Sequence, residues 1–558
     1  MKPKKFDSAN RRSFLKRAGL LVAGTQAAAA LPWTLKTASA ASPVEGASSE
    51  VVVETSYGKV RGVNVNGVRT FKGIPYGANT EGANRFMAPK KPSRWAGVRD
   101  AAAFGPACPQ LPGFKTPEIE LMQNLVVSDN TSENCLVLNV WTPGADNAKR
   151  PVMFWLHGGG FQFGSGAQPF YDGTNIARRG DVVAITINHR LGCLGYLHLG
   201  DLGGPEFAQS GNVGILDAVA ALEWVRDNIE RFGGDPNNVM IYGESGGGSK
   251  VSTLLGMPAA KGLFHRAAIE SGPGLTALSR ENATKTATAF LNNLGLDKSK
   301  LSQLQKMPAE LLIEAQVATR GGFSPVHDGS VIPENMFDPV ATPISADVPL
   351  IIGSNKDEGR FLLQSDPELF TFDEAGLKMR VKKFAGGNDE AAERILAAYR
   401  KAYPKADATE YWVEMNTDRT MRIRSIALAE RKAALKKAPV YMYFFAWNTL
   451  GFGGKYKAMH MMEIPFVFDN IEKAEAATHG TSEAKALAAK VSSAWVAFAK
   501  TGNPNTKEMP QWPAYSADNR ATMVIDNAPR VEIDPAHELR TFWLEEEKRE
   551  AATRGDRG

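Results

Sequence analysis

The stretch Val239-Met240-Ile241-Tyr242-Gly243-Glu244-Ser245-Gly246-Gly247-Gly248 restricts what this chain can become more than any other. Residues 239–242 have the length and β-branched content of a buried strand, and the segment after Gly246 reads as the start of a helix. Between them, residues 243–247 fit the pattern Gly-x-Ser-x-Gly. A serine in so tight a strand-to-helix turn has a strained backbone that flanking glycines accommodate, and its Oγ is pushed into the open. The helix that follows offers free N–H groups beside that oxygen, where negative charge would develop. The pattern alone discriminates little in a chain with 53 glycines. Its place between a strand and a helix gives it weight.

The net charge of +5 over 558 residues suggests a basic protein until the charges are located. Residues 1–40 hold eight lysines and arginines against Asp7 alone, so they carry +7 and the remainder carries −2. That distribution excludes an electrostatic case for nucleic acid or an acidic partner. The basic stretch has its own logic. Asn10-Arg11-Arg12-Ser13-Phe14-Leu15-Lys16 is a twin-arginine sequence ahead of a modest apolar run, residues 18–31, and Ala38-Ser39-Ala40 supplies small residues at the spacing of a cleavage site. The run is too short and too rich in Ala and Gly to span a bilayer, so no stable membrane anchor is expected. Residues 1–40 are expected to be a Tat-type signal read by the twin-arginine export machinery, which delivers a folded protein to the periplasm or beyond. Export makes disulfides permissible. Of the three cysteines, Cys193 lies in an apolar segment, and buried packing is its expected role.

Past the leader, residues 51–53, 59–63 and 69–71 alternate like short antiparallel strands. Residues 111–130 open with Pro112-Gly113 and continue irregularly, as a lid or rim would. Apolar strands are expected at 136–141, 152–156 and 182–187, and the second runs into His157-Gly158-Gly159-Gly160-Phe161. Consecutive glycines let a backbone approach a reacting carbonyl and aim N–H groups at its oxygen, which an oxyanion hole requires. Apolar residues at helical spacing predict a helix over 217–229, and Phe232-Gly233-Gly234-Asp235-Pro236-Asn237 ends it before the serine strand. Further strands are expected at 350–352, 440–445 and 522–525. Strand, helix, strand in succession predicts a parallel sheet with helices on its faces.

A serine hydroxyl needs a histidine to take its proton and a carboxylate to orient that histidine. In this architecture the chain order is serine, acid, histidine. Of the eight histidines, His157, His189 and His198 precede Ser245, and His265 follows it too closely. His327 would have to precede the best acid. His479 sits in a polar, Ala-rich helix boundary, and His537 sits among charges near the C-terminus. His460, in Ala458-Met459-His460-Met461-Met462, is a loop histidine in apolar surroundings after a core strand. For the acid, the strand at 350–352 leads into Gly353-Ser354-Asn355-Lys356-Asp357-Glu358-Gly359. Both Asp357 and Glu358 lie just past a strand's C-terminal end, where open α/β sheets build their sites.

Assembled, the chain resembles the type-B carboxylesterase family of α/β-hydrolases, particularly bacterial p-nitrobenzyl esterases. The resemblance runs from about residue 51 to residue 515 and includes Phe71-Lys72-Gly73-Ile74-Pro75-Tyr76, Ser132-Glu133-Asn134-Cys135, the glycine loop, the elbow and Lys356-Asp357-Glu358-Gly359. It implies an α/β-hydrolase fold, a mostly parallel central sheet with helices on both faces and lid or rim insertions. The expected organisation is one such domain over 41–550 with a charged tail at 551–558. The resemblance makes Ser245 the nucleophile, Glu358 the acid and His460 the base, and it assigns the oxyanion hole to Gly159, Gly160 and Gly246. It also implies a Cys108–Cys135 disulfide, an Arg85–Glu133 ion pair and a pocket-lining carboxylate at Glu244. Relatives often carry alanine where this chain has Gly246, and aspartate where it has Asn134. No tryptophan lies between Cys108 and Cys135, where cholinesterases hold a quaternary ammonium by cation–π attraction, so choline esters are not expected as preferred substrates.

The implied activity is hydrolysis of carboxylic esters through an acyl-enzyme, with no metal and no cofactor. Two alternatives stand beside it: a related serine hydrolase acting on amides, carbamates or a bulky natural ester, and a binding protein of the same fold. The second fits poorly with a chain that keeps all three triad residues. Lys455 and Lys457, close to His460 in sequence, are either solvated charges or a means of favouring substrates with a free carboxylate.

Overall fold

The computed structural model describes residues 50–111 and 130–555. The leader, most of the expected rim segment and residues 556–558 of the tail lie outside the described residues. Strands β1 (Glu50–Glu54), β2 (Lys59–Val65), β3 (Val68–Pro75), β4 (Val98–Asp100) and β5 (Val137–Thr142) precede β6 (Arg150–Leu156), β7 (Val183–Ile187), β8 (Gly234–Glu244) and β9 (Arg266–Glu270). β10 (Leu278–Ser279) and β11 (Val326–His327) form a small separate sheet. β12 (Leu350–Asn355), β13 (Val440–Phe445), β14 (Ala521–Ile525) and β15 (Arg530–Ile533) complete the large one. Its order is β1-β2-β3-β5-β7-β6-β8-β9-β12-β13-β14-β15, with β4 beside β2. From β7 across to β14 each neighbouring pair is parallel. The pairings from β1 to β7 by way of β5, and that of β14 with β15, make antiparallel margins.

The pleat explains the two helical layers. Alternate residues of β6 and β8 point to opposite faces. Phe154, Leu156, Val239 and Ile241 join one buried cluster with Leu222 and Val225 of the helix Val213–Asn228. Met153, Trp155, Met240 and Tyr242 join another with Trp495 and Phe498 of the helix Ser482–Thr501. Each such side chain contributes roughly 1.5–3 kcal/mol by leaving water. A strand buried on both faces reads as a continuous apolar run, which makes residues 152–156 and 239–242 legible in the sequence. β9 has no such signal, because Ala267-Ala268 carries little strand character and the strand ends in a buried Glu270.

A buried pair ties the segment after β7 to the helix Val213–Asn228. Asp217 accepts from the Arg190 guanidinium at 2.8 and 2.6 Å and from the Arg190 backbone N–H at 3.0 Å. Both side chains are buried. Asp217→Ala would strand a guanidinium in the core, and a loss of about 3–5 kcal/mol is expected. Urea unfolding of the two proteins reads it directly; an unchanged midpoint would contradict the pair's role. The Arg85–Glu133 contact is also formed, with Arg85 Nε donating to Glu133 Oε2 at 2.7 Å and Nη1 donating to the Leu304 carbonyl at 2.6 Å.

Cys193 is buried, as expected from its apolar segment, and Cys108 and Cys135 are buried and free in this structure. Cys108 is satisfied as a thiol: its sulfur accepts from the Leu191 N–H and donates to the Pro109 carbonyl, both at 3.4 Å. Cys135 hydrogen-bonds to Cys108, and that bond together with burial pushes the Cys135 thiol well up. Among the described residues no helix is long and apolar enough to cross a membrane.

Candidate active site

β8 ends at Glu244, the helix Gly246–Leu255 begins at once, and Ser245 between them has φ 57° and ψ −121°. For a residue with a side chain this is a strained backbone, costing of order 1–3 kcal/mol. Close packing of backbone on backbone holds the strain in place. The Ser245 N–H donates to the Glu270 carbonyl of β9 at 2.8 Å. A Cβ on Gly247 would lie 1.9 Å from the Leu156 carbonyl oxygen of β6, so the neighbouring strand dictates the second glycine of the motif.

The glycine loop leaves the end of β6 beside this turn. Gly159 and Gly160 have φ 88° and 62°. The Gly159 carbonyl accepts from the N–H groups of Gln162 and Phe163, each at 3.2 Å. Lys250, on the helix that begins after Ser245, is buried and donates to the His157 carbonyl at 2.8 Å. Burial, against the pull of Glu244, brings its pKa down to about 7. The His157 and His189 rings stack with centroids 4.8 Å apart, and burial together with the Lys250 charge holds both well below the usual imidazole range. Two of the histidines that chain order excludes as the base are thus packed against each other. Lys250 has no sequence signal beyond being a lone lysine among small and apolar neighbours.

The acid and base expected from the sequence come from beyond the ends of β12 and β13. Glu358 Oε1 accepts from the Asn355 N–H at 2.7 Å, and Oε2 meets His460 Nδ1 at 2.5 Å. Asp357, equivalent by position alone, turns instead to Arg360 at 3.5 Å and Lys356 at 3.7 Å. His479 is an exposed helix cap and His537 pairs with Asp534; neither lines the cavity that holds Ser245. The other ring nitrogen, His460 Nε2, lies 3.1 Å from Glu244 Oε1. Two further buried carboxylates join the group. Glu463 accepts from Asn355 Nδ2 at 2.5 Å and from Ser271 Oγ at 3.3 Å. Glu270 accepts from Trp495 Nε1 at 2.7 Å. Sequence reasoning misses both, since a single glutamate in an apolar run carries no motif.

These charges set the imidazole. Burial alone would lower the His460 pKa, but Glu244 and Glu358 outweigh it and raise it to about 9. Burial also drives the Glu244 carboxyl upward, against the pull of His460, so protons here belong to a cluster rather than to one residue. A base must shed its proton before it can take one from serine. The acid limb of kcat/KM is therefore expected well above the usual imidazole range. Glu244→Gln removes one charge that favours the imidazolium, so that limb should move to lower pH. A pH–rate profile in which it stays or rises would remove Glu244 from the account.

Ser245, His460, Glu244 and the glycine loop line one cavity of about 450 Å³, together with Leu111, Tyr171, Phe361 and Met461. A second cavity of about 340 Å³ also borders Ser245 and Gly160. Lys455 and Lys457 line neither. Lys457 is paired with Glu410, and the Lys455 ammonium lies 4.9 Å from the Tyr456 ring centre and 5.5 Å from that of Phe370.

A largely parallel sheet with helices on both faces, a serine on a strained strand-to-helix turn, a glycine loop beside it and a Glu–His pair from later strand ends define an α/β-hydrolase of the serine type. The Carboxylesterase family model matches residues 49–543. The chain is 38% identical to the para-nitrobenzyl esterase of Bacillus subtilis (strain 168), covering 88% of this chain and 97% of that protein. It is 32% identical to a phenmedipham hydrolase of Pseudarthrobacter oxydans, covering 85% and 94%. A solved carboxylesterase of Geobacillus stearothermophilus superposes with TM-score 0.78 at 39% identity, covering 88% of this chain and 99% of that one. The chain belongs to the carboxylesterase family and is a carboxylic ester hydrolase.

Proposed function

We propose that Ser245 is the nucleophile of this esterase, His460 its general base and acid, and Glu358 the carboxylate that orients the imidazole. The observation that carries this is the Glu358–His460 Nδ1 contact of 2.5 Å, made by an imidazole that shares a cavity with Ser245. Ser245 Oγ attacks the ester carbonyl carbon as His460 takes its proton, and the N–H groups of Gly159, Gly160 and Gly246 receive the oxyanion. The carbon–oxygen bond to the alcohol then breaks, and the leaving oxygen takes the proton from His460. Water repeats the sequence on the acyl-enzyme. Glu244 lines the pocket and tunes His460.

The twin-arginine leader supports export to the periplasm or beyond. In such a compartment thiol–disulfide exchange with an oxidised dithiol carrier would join Cys108 and Cys135, whose side chains are already hydrogen-bonded. The two electrons and two protons of the thiols pass to the carrier, which leaves as its reduced dithiol. The test of the catalytic proposal is hydrolysis of short and medium p-nitrophenyl esters, with labelling by a radioactive organophosphate. A stoichiometric label on the peptide carrying Ser245, in step with loss of activity, is expected. Turnover that survives full labelling, or a label on another serine, would overturn the assignment.

A further inference from the structure

The second cavity beside Ser245 is bordered by a cation, Arg424, that no described carboxylate contacts as an ion pair. One wall is the π-helical turn Asp418–Arg422 running into the helix Ile423–Ala434, which brings Thr420, Met421 and Arg424 to the cavity. A π-turn inside a helix shifts the register of its side chains and recurs at functional sites. The neighbouring arginines are all paired: Arg419 with Glu550, Arg422 with Glu414 and Asp418, and Arg431 with Asp338. Among the described residues Arg424 has no such partner. Burial and the positive charge of Arg419 both disfavour its cation, against weaker pulls from Glu547 and from Asp338, which is already committed to Arg431. Among the described residues no carboxylate side chain lines this cavity; its polar lining includes the hydroxyl residues Ser249, Ser271 and Ser324. A half-buried guanidinium without a partner is unfavourable until a ligand supplies the anion, and its planar fork suits a carboxylate.

We propose that Arg424 anchors a free carboxylate on the substrate, so that this enzyme favours esters bearing a second, unesterified acid group. The proposal rests on Ser245 being the nucleophile, because the cavity matters to the reaction only by bordering that residue. It assigns to Arg424 the part that Lys455 and Lys457 suggest in the sequence. The carboxylate can ride on the acyl group or on the alcohol, and paired substrates separate the two. Monoethyl adipate against ethyl hexanoate places the charge on the acyl side; 6-acetoxyhexanoate against hexyl acetate places it on the alcohol side.

In one of these pairs the charged ester is expected to have the higher kcat/KM, mainly through KM. Arg424→Gln should cut that charged-to-neutral ratio by about 10- to 100-fold, the worth of one hydrogen bond to a charged group. Arg424→Lys should restore part of it, and added salt should weaken it in the wild type. Calorimetric binding of adipate to the Ser245→Ala protein gives a readout that needs no turnover, and its affinity should fall by a similar factor when Arg424→Gln is added. Neutral esters preferred in both pairs, or a ratio and an adipate affinity indifferent to Arg424→Gln, would overturn the anchor while leaving the serine mechanism intact. Failure of the serine mechanism shows separately, as turnover of p-nitrophenyl esters that survives Ser245→Ala.

Discussion

Ser245→Ala is expected to lower kcat on p-nitrophenyl butyrate by about 10⁵- to 10⁶-fold, as loss of the nucleophile does in other serine hydrolases. The reason is that no other described group is placed to act in its stead. Among the described residues Ser245 alone sits on the strained turn with φ 57°, beside the glycine loop and in the cavity that holds His460. The residual rate over water would come from the oxyanion donors and from binding. Thermal unfolding separates chemistry from folding, because alanine keeps the Cβ and the same backbone, including the N–H bond to the Glu270 carbonyl at 2.8 Å. A melting temperature near the wild type's, with activity gone, is the expected pair of results. His460→Ala should cost a similar factor, and the double variant little more than either, since the two act as a unit. Independent, multiplying losses would mean that the proton leaves Ser245 by some route other than His460.

Most of the fold, and Ser245 and His460 among the candidate site residues, are legible in the sequence because each leaves a local mark. A doubly buried strand is a run of apolar residues, a tight turn needs glycine, and a catalytic histidine must follow its serine in this chain order. The choice between Asp357 and Glu358 is not legible from position. The structure draws the two side chains apart: Asp357 to Arg360, Glu358 to the Asn355 N–H and His460. Glu270, Glu463, Lys250 and Arg424 leave no mark for a related reason. Their meaning comes from partners distant in sequence: Trp495 for Glu270, Asn355 for Glu463, the His157 carbonyl for Lys250 and the serine's second cavity for Arg424. The Cys108–Cys135 bridge comes from the resemblance alone; the structure shows two neighbouring free thiols, and the covalent bond remains part of the export proposal.

Gly246→Ala is expected to lower kcat by about 10²-fold with a much smaller effect on KM. Two local terms favour alanine: the residue opens a helix, where alanine gains up to about 1 kcal/mol over glycine, and a Cβ restricts the unfolded chain. The surroundings here oppose it. A Cβ on Gly246 would lie 2.0 Å from the Gly160 carbonyl oxygen and 2.5 Å from the Gly160 Cα. Both are backbone atoms, so no side-chain rotation relieves the contact, and the glycine loop itself must move. That loop is pinned on one side by Lys250 on the His157 carbonyl at 2.8 Å and on the other by the Gly192 N–H on the Phe161 carbonyl at 2.7 Å. Displacing Gly160 pulls one proposed oxyanion donor away from another, and losing a single donor costs about 10²–10³ in rate. The melting temperature is a poor guide, since the favourable helix term and the strain offset each other. The kcat is the informative quantity. An unchanged or higher kcat would mean that the loop withdraws without cost to a position that accommodates alanine, and that Gly160 is not held where its carbonyl now lies.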